Sequence, residues 1–590
     1  MNITENAIKV LEARFLRRDV DGHILETPEE LFRRVAKSVA QAESTFVAKD
    51  RAAYWEEKFF EEMTSLEFLP NSPTLMNAGS PLGQLSACFV IPVEDTIESI
   101  FEAIKDMALI QRTGGGTGFS FSRLRPKDSV VTTTGGKSSG PVSFMKIFNS
   151  ATEHIKQGGK RRGANMGVLR VDHPDIVEFV TAKLEEGTLR NFNLSVGITD
   201  AFMEALKKDD VFELIHPVTN EATGKLKARF LFETIAECAW GSGDPGVLFI
   251  DRINRNHPLN ELGEIESTNP CGELPLLPYE SCNLASVNLS RMVDKTNVKS
   301  SINWEKLRLL IHDIVRFLDD VIEINKFPIP EVESITRSNR KIGLGIMGFA
   351  EMLIMLGISY SSEESVQLAD KLMSFIYNEA FSASTKLAKE RGTFPNWGKS
   401  AYAQRNEKIR NATLTSIAPT GTISIIAGTS SGIEPLFALA YRRSNVLEGE
   451  MLGEINPLFL KYVKTEKFYS KQLLRQLIEE GNMQNIKEIP EEVKRIFATA
   501  HEIPYEQHIR MQASFQKNVD NSVSKTINMP QDAKVEDVKK AYIMAYELGC
   551  KGITIFRYGS KKQQVLEIGS DEKAFEEEYF AKCDPDACRM

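Results

Sequence analysis

The nine-residue stretch 267–275 constrains this chain more than any other feature of its sequence. It reads Ser-Thr-Asn-Pro-Cys-Gly-Glu-Leu-Pro and places an amide, a thiol and a carboxylate at every second position, as Asn269, Cys271 and Glu273. In extended backbone, alternate side chains share one face, so these three groups can point into one pocket. We therefore interpret the stretch as the centre of a reactive site; the alternative is a loop with a core cysteine.

Two other cysteines lie in segments with the pattern of buried strands. Cys88 belongs to the apolar run 85–92, and Cys282 belongs to the alternating run 281–289. Short runs of this kind favour strands that are buried in a sheet. A lone cysteine is more often a core residue than a reactive one. Three thiols in such segments, however, favour an enzyme whose cysteines react.

The composition of the chain excludes several classes of protein. Of its 590 residues, 42% are hydrophobic and 26% are charged, which is typical of soluble globular proteins. A net charge of −9 is the opposite of the basic surplus that a general nucleic-acid binder needs. No apolar run approaches the roughly 18 residues of a membrane span, and the N-terminus lacks the order of a signal peptide. We therefore expect a cytoplasmic protein that binds neither nucleic acid nor a membrane.

The seven cysteines do not have the spacing of a disulfide framework or of a metal site. An odd number in a large chain argues against structural disulfides. The sequence has no Cys-x-x-Cys pair and no His-Glu-x-x-His motif, so we predict no protein-ligated metal. Cys238 fits the core face of a helix, and Cys550 fits a helix end. Cys583 and Cys588 lie close to the last residue and are typical of a pair that shuttles electrons by thiol–disulfide exchange.

The order of helical and strand-like patterns predicts an α/β protein with a helical N-terminal region. Residues 27–30, Thr-Pro-Glu-Glu, form a capping box with proline at the first helical position. A Pro-rich break follows at 69–73, strands and helices alternate over 193–250, and 440–515 has a mainly helical pattern. The predicted units are a helical domain over 1–80, a catalytic domain over 81–560 and a flexible redox-active tail over 561–590.

Three glycine-containing segments are candidates for phosphate-binding loops. Residues 114–118 follow a predicted helix instead of preceding one, and the Gly-x-Gly-x-x-Gly of 343–348 follows polar residues instead of a buried strand, so we reject both. Residues 419–423, Pro-Thr-Gly-Thr-Ile, come after a strand pattern and before a helix start. Free amides, hydroxyls and the positive end of a helix dipole converge in such a turn. It predicts an anion site, although a turn of this kind can also be only a helix cap.

Together these segments resemble the catalytic chain of a ribonucleotide reductase. The resemblance extends from about residue 4 to 558, and its motifs are Asn-Pro-Cys-Gly-Glu at 269–273, Gly-Gln-Leu-Ser-Ala-Cys at 83–88, Ser-Cys-Asn-Leu at 281–284 and Pro-Thr-Gly-Thr-Ile at 419–423. It implies a ten-stranded α/β barrel of two parallel five-stranded halves, preceded by a helical domain. The loop that carries the reactive cysteine would thread through the centre of the barrel.

The resemblance implies a radical mechanism. Cys271 would be the transient thiyl radical that abstracts the 3′ hydrogen of a ribonucleotide, with Glu273 as the base on the 3′ hydroxyl and Asn269 hydrogen-bonded to the ribose. Cys88 and Cys282 would supply two electrons and end as a disulfide. The implied substrate-binding residues are Ser72, Ala87, Cys88, Gly116, Asn269, Pro270, Cys271, Gly272, Glu273, Pro419, Thr420, Gly421, Thr422 and Ile423.

The chemistry of the motif agrees with that implication. A thiol beside a carboxylate is a poor thiolate because the two negative charges repel, and this suits hydrogen-atom transfer better than nucleophilic attack. By the same resemblance, Cys583 and Cys588 would reduce the disulfide of the active site by exchange. A thioredoxin- or glutaredoxin-type protein would then regenerate the tail pair.

The source of the radical divides the family into classes. The last strand pattern, 551–557, lacks the tyrosine pair through which a second subunit delivers the radical in metal-radical (class I) reductases. The resemblance to the adenosylcobalamin-dependent (class II) type rests on three features. They are this strand pattern, the segment 71–77 and the alanine before Cys88. The prediction is a vitamin B12-dependent ribonucleoside-diphosphate reductase that makes deoxyribonucleotides for DNA synthesis. The alternatives are the catalytic subunit of a two-subunit class I reductase and a catalytically silent nucleotide-binding protein, and the residues do not distinguish diphosphate from triphosphate substrates.

The resemblance also implies allosteric control of substrate choice. Helical patterns at about 96–111 and 142–155 flank the loop 132–140. In the family, the corresponding helices pair across a two-fold interface where a dNTP or ATP binds as specificity effector. The sequence shows no extra segment between residues 95 and 165 to replace the partner, so we expect a homodimer. The implied effector-binding residues are Asp95, Lys160 and Arg161.

Overall fold

The structure of the protein is a computed structural model. It describes residues 1, 3–46, 50–131, 135–157, 161–185, 187–294, 300–447, 450–465, 470, 472–473, 476–477, 483, 486–560 and 566–567. Within these residues, no helix has both the length and the apolar character that crossing a membrane requires.

The first part of the chain is helical, as predicted. The capping box is present: the Thr27 hydroxyl accepts a hydrogen bond from the Glu30 amide at 3.2 Å, and the Glu30 carboxylate accepts one from the Thr27 amide at 2.7 Å. The helix that follows buries Leu31, Val35 and Val39 against its neighbours. The helices of this region are Glu5–Arg14, Pro28–Ala40, Glu43–Phe46, Asp50–Thr64 and Ser72–Asn77.

One connected sheet dominates the rest of the chain. Its strands are largely apolar and buried, as the short apolar runs predict. In chain order they are β1 (Phe68–Pro70), β2 (Cys88–Val90), β3 (Gly116–Ser120), β4 (Asn165–Arg170), β5 (Phe192–Ile198), β6 (Gly246–Phe249), β7 (Ser281–Asn288), β8 (Ile342–Met347), β9 (Thr526–Met529) and β10 (Gly552–Arg557).

The strands close into a ring. β2 to β6 lie side by side in chain order and are parallel. β7 is parallel to β8 and β9 to β10, and single parallel bridges at Leu344–Thr415 and Ile417–Val523 join these pairs through the segment 415–417. Antiparallel contacts of β7 with β2 and of β10 with β6 complete the circle. β2 to β10 and the segment 415–417 therefore form the predicted ten-stranded barrel of two parallel halves, which confirms the fold class.

The glycines of the 343–348 motif have a packing role. A Cβ on Gly345 would lie 2.4 Å from the carbonyl oxygen of Ser416 in the neighbouring segment, so a larger residue would separate the two strands. A Cβ on Gly343 would lie 2.3 Å from the side chain of Leu284 on β7. The motif is itself a buried strand of the barrel, which accounts for its glycines without a dinucleotide.

Helices and short hairpins surround the barrel. The helices predicted near 96–111 and 142–155 are present and begin and end within two residues of the expected positions. The helices are Ile97–Arg112, Pro141–Glu153, Ile176–Thr181, Asp200–Lys208, Ala228–Ser242, Ile250–Arg255, Trp304–Ile324, Pro330–Asn339, Phe349–Leu356, Glu363–Arg391, Ala401–Gln404, Ile423–Ala427, Pro457–Thr465, Glu491–Ile496, Tyr505–Gln516 and Val535–Glu547. The short strands outside the sheet are Val130–Val131, Gly136–Lys137, Lys156–Gln157, Arg161–Arg162, Val211–Ile215, Ala222–Lys227, Ser267–Thr268, Pro275–Leu276, Val293–Asp294, Ser301–Ile302, Ala440–Leu447, Glu450–Ile455 and Leu566–Glu567.

The mainly helical interpretation of 440–515 is wrong at its beginning. Ala440–Leu447 and Glu450–Ile455 form an antiparallel pair, so this segment is a hairpin. A glycine lies between the two runs and is a turn signal that the surrounding helix-forming residues obscured. From Pro457 onward the described elements are helical, as expected.

A buried ionic cluster joins the N-terminal helices to the barrel. Glu43, in the N-terminal helical region, binds Arg316 at 2.8 Å. Arg391, which also pairs with Glu43, binds Asp319 at 2.8 Å and Asp320 at 2.7 Å. The side chains of Arg391, Glu43 and both aspartates are fully buried. Because each charge is out of water, the cluster depends on all of its members.

We predict that Arg391→Met lowers the free energy of unfolding by about 3–5 kcal/mol, since it leaves three buried carboxylates without their shared cation. Denaturant unfolding measures this change. The matched control is Arg308→Met, which breaks an exposed pair with Glu305 and should leave the stability almost unchanged. Equal losses in the two variants would contradict the account of the cluster.

Candidate active site

The loop that carries the sequence motif is a hairpin that passes through the barrel against β3. Its arms are Ser267–Thr268 and Pro275–Leu276, which pair in antiparallel register. The carbonyl oxygen of Thr268 would lie 1.7 Å from a Cβ on Gly118, so only glycine at this position lets the loop pass. The glycine cluster at 114–118 therefore makes room for the loop.

The tip of the loop is a turn that Asn269 holds together. The side-chain oxygen of Asn269 accepts a hydrogen bond from the Leu274 amide at 3.0 Å, and its carbonyl accepts one from the Gly272 amide at 3.1 Å. Gly272 has a φ of +82°, which favours glycine. The expectation of an extended segment is thus wrong. Asn269 and Glu273 are buried and Cys271 is exposed at the tip, yet all three line one cavity.

That cavity, of about 210 Å³, brings the separate sequence motifs together. It lies on the side of the loop that faces β2 and β7. All of the predicted substrate-binding residues line it except Gly272, which lines a different cavity. The residues concerned are Ser72, Ala87, Cys88, Gly116, Asn269, Pro270, Cys271, Glu273, Pro419, Thr420, Gly421, Thr422 and Ile423.

Cys88 and Cys282 are direct partners in the register of β2 and β7. Opposed residues of an antiparallel pair have Cα atoms about 4.5–5.5 Å apart, within the roughly 4.4–6.8 Å that a disulfide spans. Both side chains are buried as thiols. Asn269 Nδ2 donates a hydrogen bond to Cys88 Sγ at 3.1 Å. The pair can therefore be oxidised to a disulfide with little movement of the backbone.

The buried groups of the site are set up for proton transfer. Burial raises the pKa of the Cys88 thiol and of the Cys282 thiol, and the nearby Glu273 raises both further. Burial also raises the pKa of Glu273 to about 7, an effect that Asn269 partly offsets. No described residue hydrogen-bonds to Glu273 Oε2. At neutral pH the site therefore holds two protonated thiols beside a carboxyl group close to the midpoint of its titration.

A larger cavity, of about 600 Å³, borders the same loop from the side of β5, β6, β9 and β10. Cys271 lines both cavities, together with Pro270 and Pro419. The volume falls within the roughly 300–1,000 Å³ that is usual for small-molecule sites. The Cys271 thiol is thus the point at which groups bound in the two cavities would meet.

The lining of the larger cavity combines apolar strand residues with a few polar groups. Lys525, whose side chain is fully buried, pairs with Glu434. On β10 the exposed residue that faces the cavity is Thr554, and Phe556 follows it. β10 contains no tyrosine. A cavity of this composition suits a ligand with a nucleoside-like mixture of flat apolar and hydrogen-bonding groups.

The turn at 419–423 enters the short helix Ile423–Ala427, as its sequence predicts. Thr420 Oγ1 accepts a hydrogen bond from the Gly432 amide at 2.8 Å, which holds the turn against the loop that follows. Sequence reasoning missed Arg14, which lines the smaller cavity and donates a hydrogen bond from Nη1 to Thr422 Oγ1 at 3.3 Å. No local motif marks Arg14, because it reaches the site only through the packing of its helix against Ile423–Ala427.

Asp95, one of the predicted effector-binding residues, does not line either cavity. Asp95 accepts hydrogen bonds from the Arg125 amide at 2.9 Å and from Arg125 Nε at 2.6 Å. Arg161 lies in a two-residue strand that pairs with Lys156–Gln157. The predicted functional residues that lie outside the described part of the chain are Lys160, Cys583 and Cys588.

Comparison with known proteins identifies the barrel and the helical region. The family model described as "Ribonucleotide reductase, all-alpha domain" matches residues 1–83, and "Ribonucleotide reductase, barrel domain" matches 86–409 and 404–556. The chain is 50% identical to a vitamin B12-dependent ribonucleoside-diphosphate reductase of Thermoplasma acidophilum, over 98% of this chain and 82% of that protein. It is 47% identical to the protein of the same name from Mycobacterium tuberculosis, over 95% and 80%. Among solved structures, the alpha subunit of the Actinobacillus ureae class Id ribonucleotide reductase has the same fold, with a TM-score of 0.76, 23% identity and coverage of 94% of this chain and 97% of that one.

We predict that mild oxidation of the folded protein links Cys88 to Cys282, because their strands place them in direct register. Peptide mapping without reduction, read by mass spectrometry, identifies the linked pair. Cys238 is the internal control, since it is buried on the helix Ala228–Ser242 and should remain a thiol. A protein in which Cys88 and Cys282 stay reduced under conditions that oxidise Cys238 would disprove the assignment.

Proposed function

The chain belongs to the ribonucleotide reductase family, and we propose that it reduces ribonucleoside diphosphates to 2′-deoxyribonucleoside diphosphates for DNA synthesis with adenosylcobalamin as its cofactor. The observation that carries this proposal is the position of Cys271 between two cavities, with the thiols of Cys88 and Cys282 beside one of them. A radical enzyme needs this separation, because the radical source and the substrate must reach the same sulfur atom from different directions.

The residues of the larger cavity fit the adenosyl part of the cofactor. When bound, adenosylcobalamin supplies the radical that oxidises Cys271 by homolytic cleavage of its cobalt–carbon bond. The Glu434–Lys525 pair and Thr554 offer hydrogen-bonding groups to a ribose or a base, and the strands around them offer apolar contact. Phe556 and Thr554 occupy the strand in which a class I enzyme would carry its tyrosine pair, so the two-subunit alternative is disfavoured.

Cys271 starts the reaction on the substrate. As a thiyl radical it abstracts the 3′ hydrogen of the ribose bound in the smaller cavity. Glu273 takes the proton of the 3′ hydroxyl, for which a pKa of about 7 is well matched to neutral pH. Asn269, whose oxygen and nitrogen are held by hydrogen bonds with Leu274 and Cys88, orients the ribose in this proposal.

The paired thiols complete the reduction. Cys88, kept protonated by burial and by Glu273, supplies the proton with which the 2′ hydroxyl leaves as water. Cys88 and Cys282 together supply two electrons and two hydrogens, one that leaves with the 2′ hydroxyl as water and one that replaces it at C2′, and they end as a disulfide. Cys271 returns the abstracted hydrogen to C3′ and is again a thiyl radical. We assign the re-reduction of that disulfide to Cys583 and Cys588, and the re-reduction of the tail pair to a thioredoxin- or glutaredoxin-type protein.

Arg14 and the turn at 419–423 are the proposed site for the substrate phosphates. Arg14 is the only positively charged side chain among the described residues that line the smaller cavity. Guanidinium groups and hydroxyl-rich turns both bind phosphate oxygens well. Arg14 therefore adds a contact from the helical region to a substrate that otherwise binds within the barrel.

The same proposal includes regulation, assembly and location. A dNTP or ATP would bind as specificity effector near Asp95, Lys160 and Arg161, at the interface of a homodimer. The helices Ile97–Arg112 and Pro141–Glu153 expose Phe101 and Ile147 on their surfaces, as an interface would need. We place the enzyme in the cytoplasm, where its reductant and its nucleotides occur.

We predict that Cys271→Ser abolishes the reduction of every ribonucleotide while nucleotide binding stays close to that of the parent. An O–H bond is too strong to replace S–H in the radical step, and serine keeps the size of the side chain. Product formation is measured by chromatography and binding by calorimetry. The control is Cys238→Ser, which makes the same substitution at a core cysteine outside the site. This variant should remain active.

We predict that the rate of reduction at limiting substrate rises with pH through about 7, because Glu273 must lose its proton to act as base and its pKa is raised to about 7. Glu273→Gln should remove this acid limb and slow turnover by about 10²–10⁴-fold. The pH profiles of kcat/KM for the parent and the variant test both points. An acid limb that persists unchanged in Glu273→Gln would show that another group titrates.

The proposed function as a whole is tested by its cofactor requirement. Purified protein should form deoxyribonucleotides from ribonucleoside diphosphates with adenosylcobalamin and dithiothreitol, and without a second protein. The matched reaction contains cyanocobalamin, which lacks the reactive cobalt–carbon bond to an adenosyl group, and should give no product. Activity that needs an added metal-radical subunit and ignores adenosylcobalamin would establish the class I alternative instead.

A further inference from the structure

The two thiols of the redox pair have different surroundings. Cys88 lines the smaller cavity and accepts a hydrogen bond from Asn269. Cys282 does not line either cavity, and its thiol points toward the carbonyl oxygens of Asn283 at 3.4 Å and Lys341 at 3.6 Å. A reductant that enters through the cavity therefore reaches Cys88 first.

Lys341, whose carbonyl faces the Cys282 thiol, belongs to a buried ion pair. Lys341 Nζ binds Glu280 Oε2 at 2.6 Å, and each side chain is 1% exposed. Asn339 Nδ2 donates a hydrogen bond to the other oxygen of Glu280 at 2.6 Å. On the far side, Nε2 of the buried His257 lies 3.3 Å from Lys341 Nζ. Burial and Lys341 lower the pKa of His257 to about 2, so that the imidazole is neutral and can accept a hydrogen bond from the ammonium group.

A cation acts on one of the two sulfur atoms. The charged groups that act on Cys282 are Lys341, which lowers its pKa, and Glu280 and Glu273, which raise it against the same background of burial. The ionisable groups that act on Cys88 are Glu273 and the other two thiols of the site, which raise its pKa, while the hydrogen bond from Asn269 lowers it. Lys341 therefore favours a negative charge on Cys282, and no cation of the described residues does so on Cys88.

A buried ion pair contributes little to stability relative to apolar residues of the same shape. This one starts from Lys341, whose backbone carbonyl faces the Cys282 thiol at 3.6 Å, and that position points to an electrostatic role instead. Resting on the function proposed above, we propose that Lys341 is a positioning residue that directs the reopening of the Cys88–Cys282 disulfide, so that an incoming thiolate attacks Cys88 and Cys282 is the sulfur that leaves.

The exchange balances in two steps. A thiolate of the reductant, a dithiol, attacks Cys88 Sγ; the new S–S bond forms to Cys88 as the bond to Cys282 breaks, and the electron pair passes to Cys282 Sγ. The second thiolate of the reductant then attacks the first sulfur of the reductant and releases Cys88. The two protons that the reductant lost on ionisation, carried by water, convert Cys282 and Cys88 to thiols. The protein gains two electrons and two protons, and the dithiol becomes a disulfide.

The direction can be read in the parent active site. In a Cys583→Ser/Cys588→Ser protein, one turnover with substrate and adenosylcobalamin first produces the disulfide, which is verified by peptide mapping. The protein is then treated briefly with 2-mercaptoethanol and quenched with acid, and the freed thiol is alkylated. The sulfur that was attacked carries mercaptoethanol, and the sulfur that left carries the alkyl group. We expect mercaptoethanol on Cys88 and the alkyl group on Cys282, by about tenfold or more over the reverse pattern. Equal labelling, or the reverse, overturns the proposal; failure of the disulfide to form in the first step would count against the proposed function instead.

Variants of the ion pair test the role of Lys341. Lys341→Met/Glu280→Gln removes both charges together, so that no unpaired charge remains buried. It should slow the opening of the disulfide by 2-mercaptoethanol about 3- to 10-fold and weaken the preference for Cys88, because the leaving thiol loses its cation. Lys341→Arg keeps the charge, so this variant should open at the parent's rate and with the parent's preference for Cys88.

The control is Lys494→Met, which alters another largely buried lysine that is paired with a glutamate, far along the chain from the redox pair. It should leave the rate and the labelling pattern unchanged. If the double variant opens as fast and with the same preference as the parent, Lys341 has no directing role. If the double variant does not fold, the labelling pattern of the parent protein still decides which sulfur is attacked.

Discussion

The contact between the Thr268 carbonyl and Gly118 is the constraint on which the functional part of this structure depends. Since a Cβ at Gly118 would lie 1.7 Å from that oxygen, the loop can run through the barrel only because β3 has no side chain there. The passage puts Cys271 at the tip of the loop, between a cavity of about 210 Å³ and one of about 600 Å³. The ring of strands thus serves to hold one sulfur atom where two ligands can reach it.

Burial then determines the chemistry of the groups around that sulfur. In a poorly solvated site the neutral forms of acids and thiols are favoured, which keeps Cys88 and Cys282 protonated and moves the pKa of Glu273 to about 7. The carboxyl group is thereby ready to accept a proton at neutral pH, and the thiols are ready to give one. The Lys341–Glu280 pair adds a difference between two otherwise similar thiols, and with it a direction for their re-reduction.

Local sequence patterns predicted the elements of the site but not all of their relations. The motif at 269–273, the two strand cysteines and the turn at 419–423 were identified from neighbouring residues, and the structure brings them to one cavity. The tip of the loop is a turn instead of the expected extended segment, because Asn269 accepts hydrogen bonds from the Leu274 and Gly272 amides. Arg14, the larger cavity and the closure of the barrel depend on contacts between residues far apart in the chain, about which periodicity carries no information. The effector contacts that the family resemblance implies remain a prediction.

The central claim is that Cys271 lines two separate cavities, one for the substrate and one for the cofactor. The substitution Thr554→Trp tests this claim most directly. Tryptophan at this exposed position of β10 would fill part of the larger cavity without entering the smaller one. The measurement is a calorimetric titration with a ribonucleoside diphosphate, made alongside an assay with adenosylcobalamin. We predict that the variant binds the nucleotide within about twofold of the parent, a difference under 0.5 kcal/mol, and forms no deoxyribonucleotide. A variant that keeps full turnover, or one that is folded and loses nucleotide binding, would contradict the account.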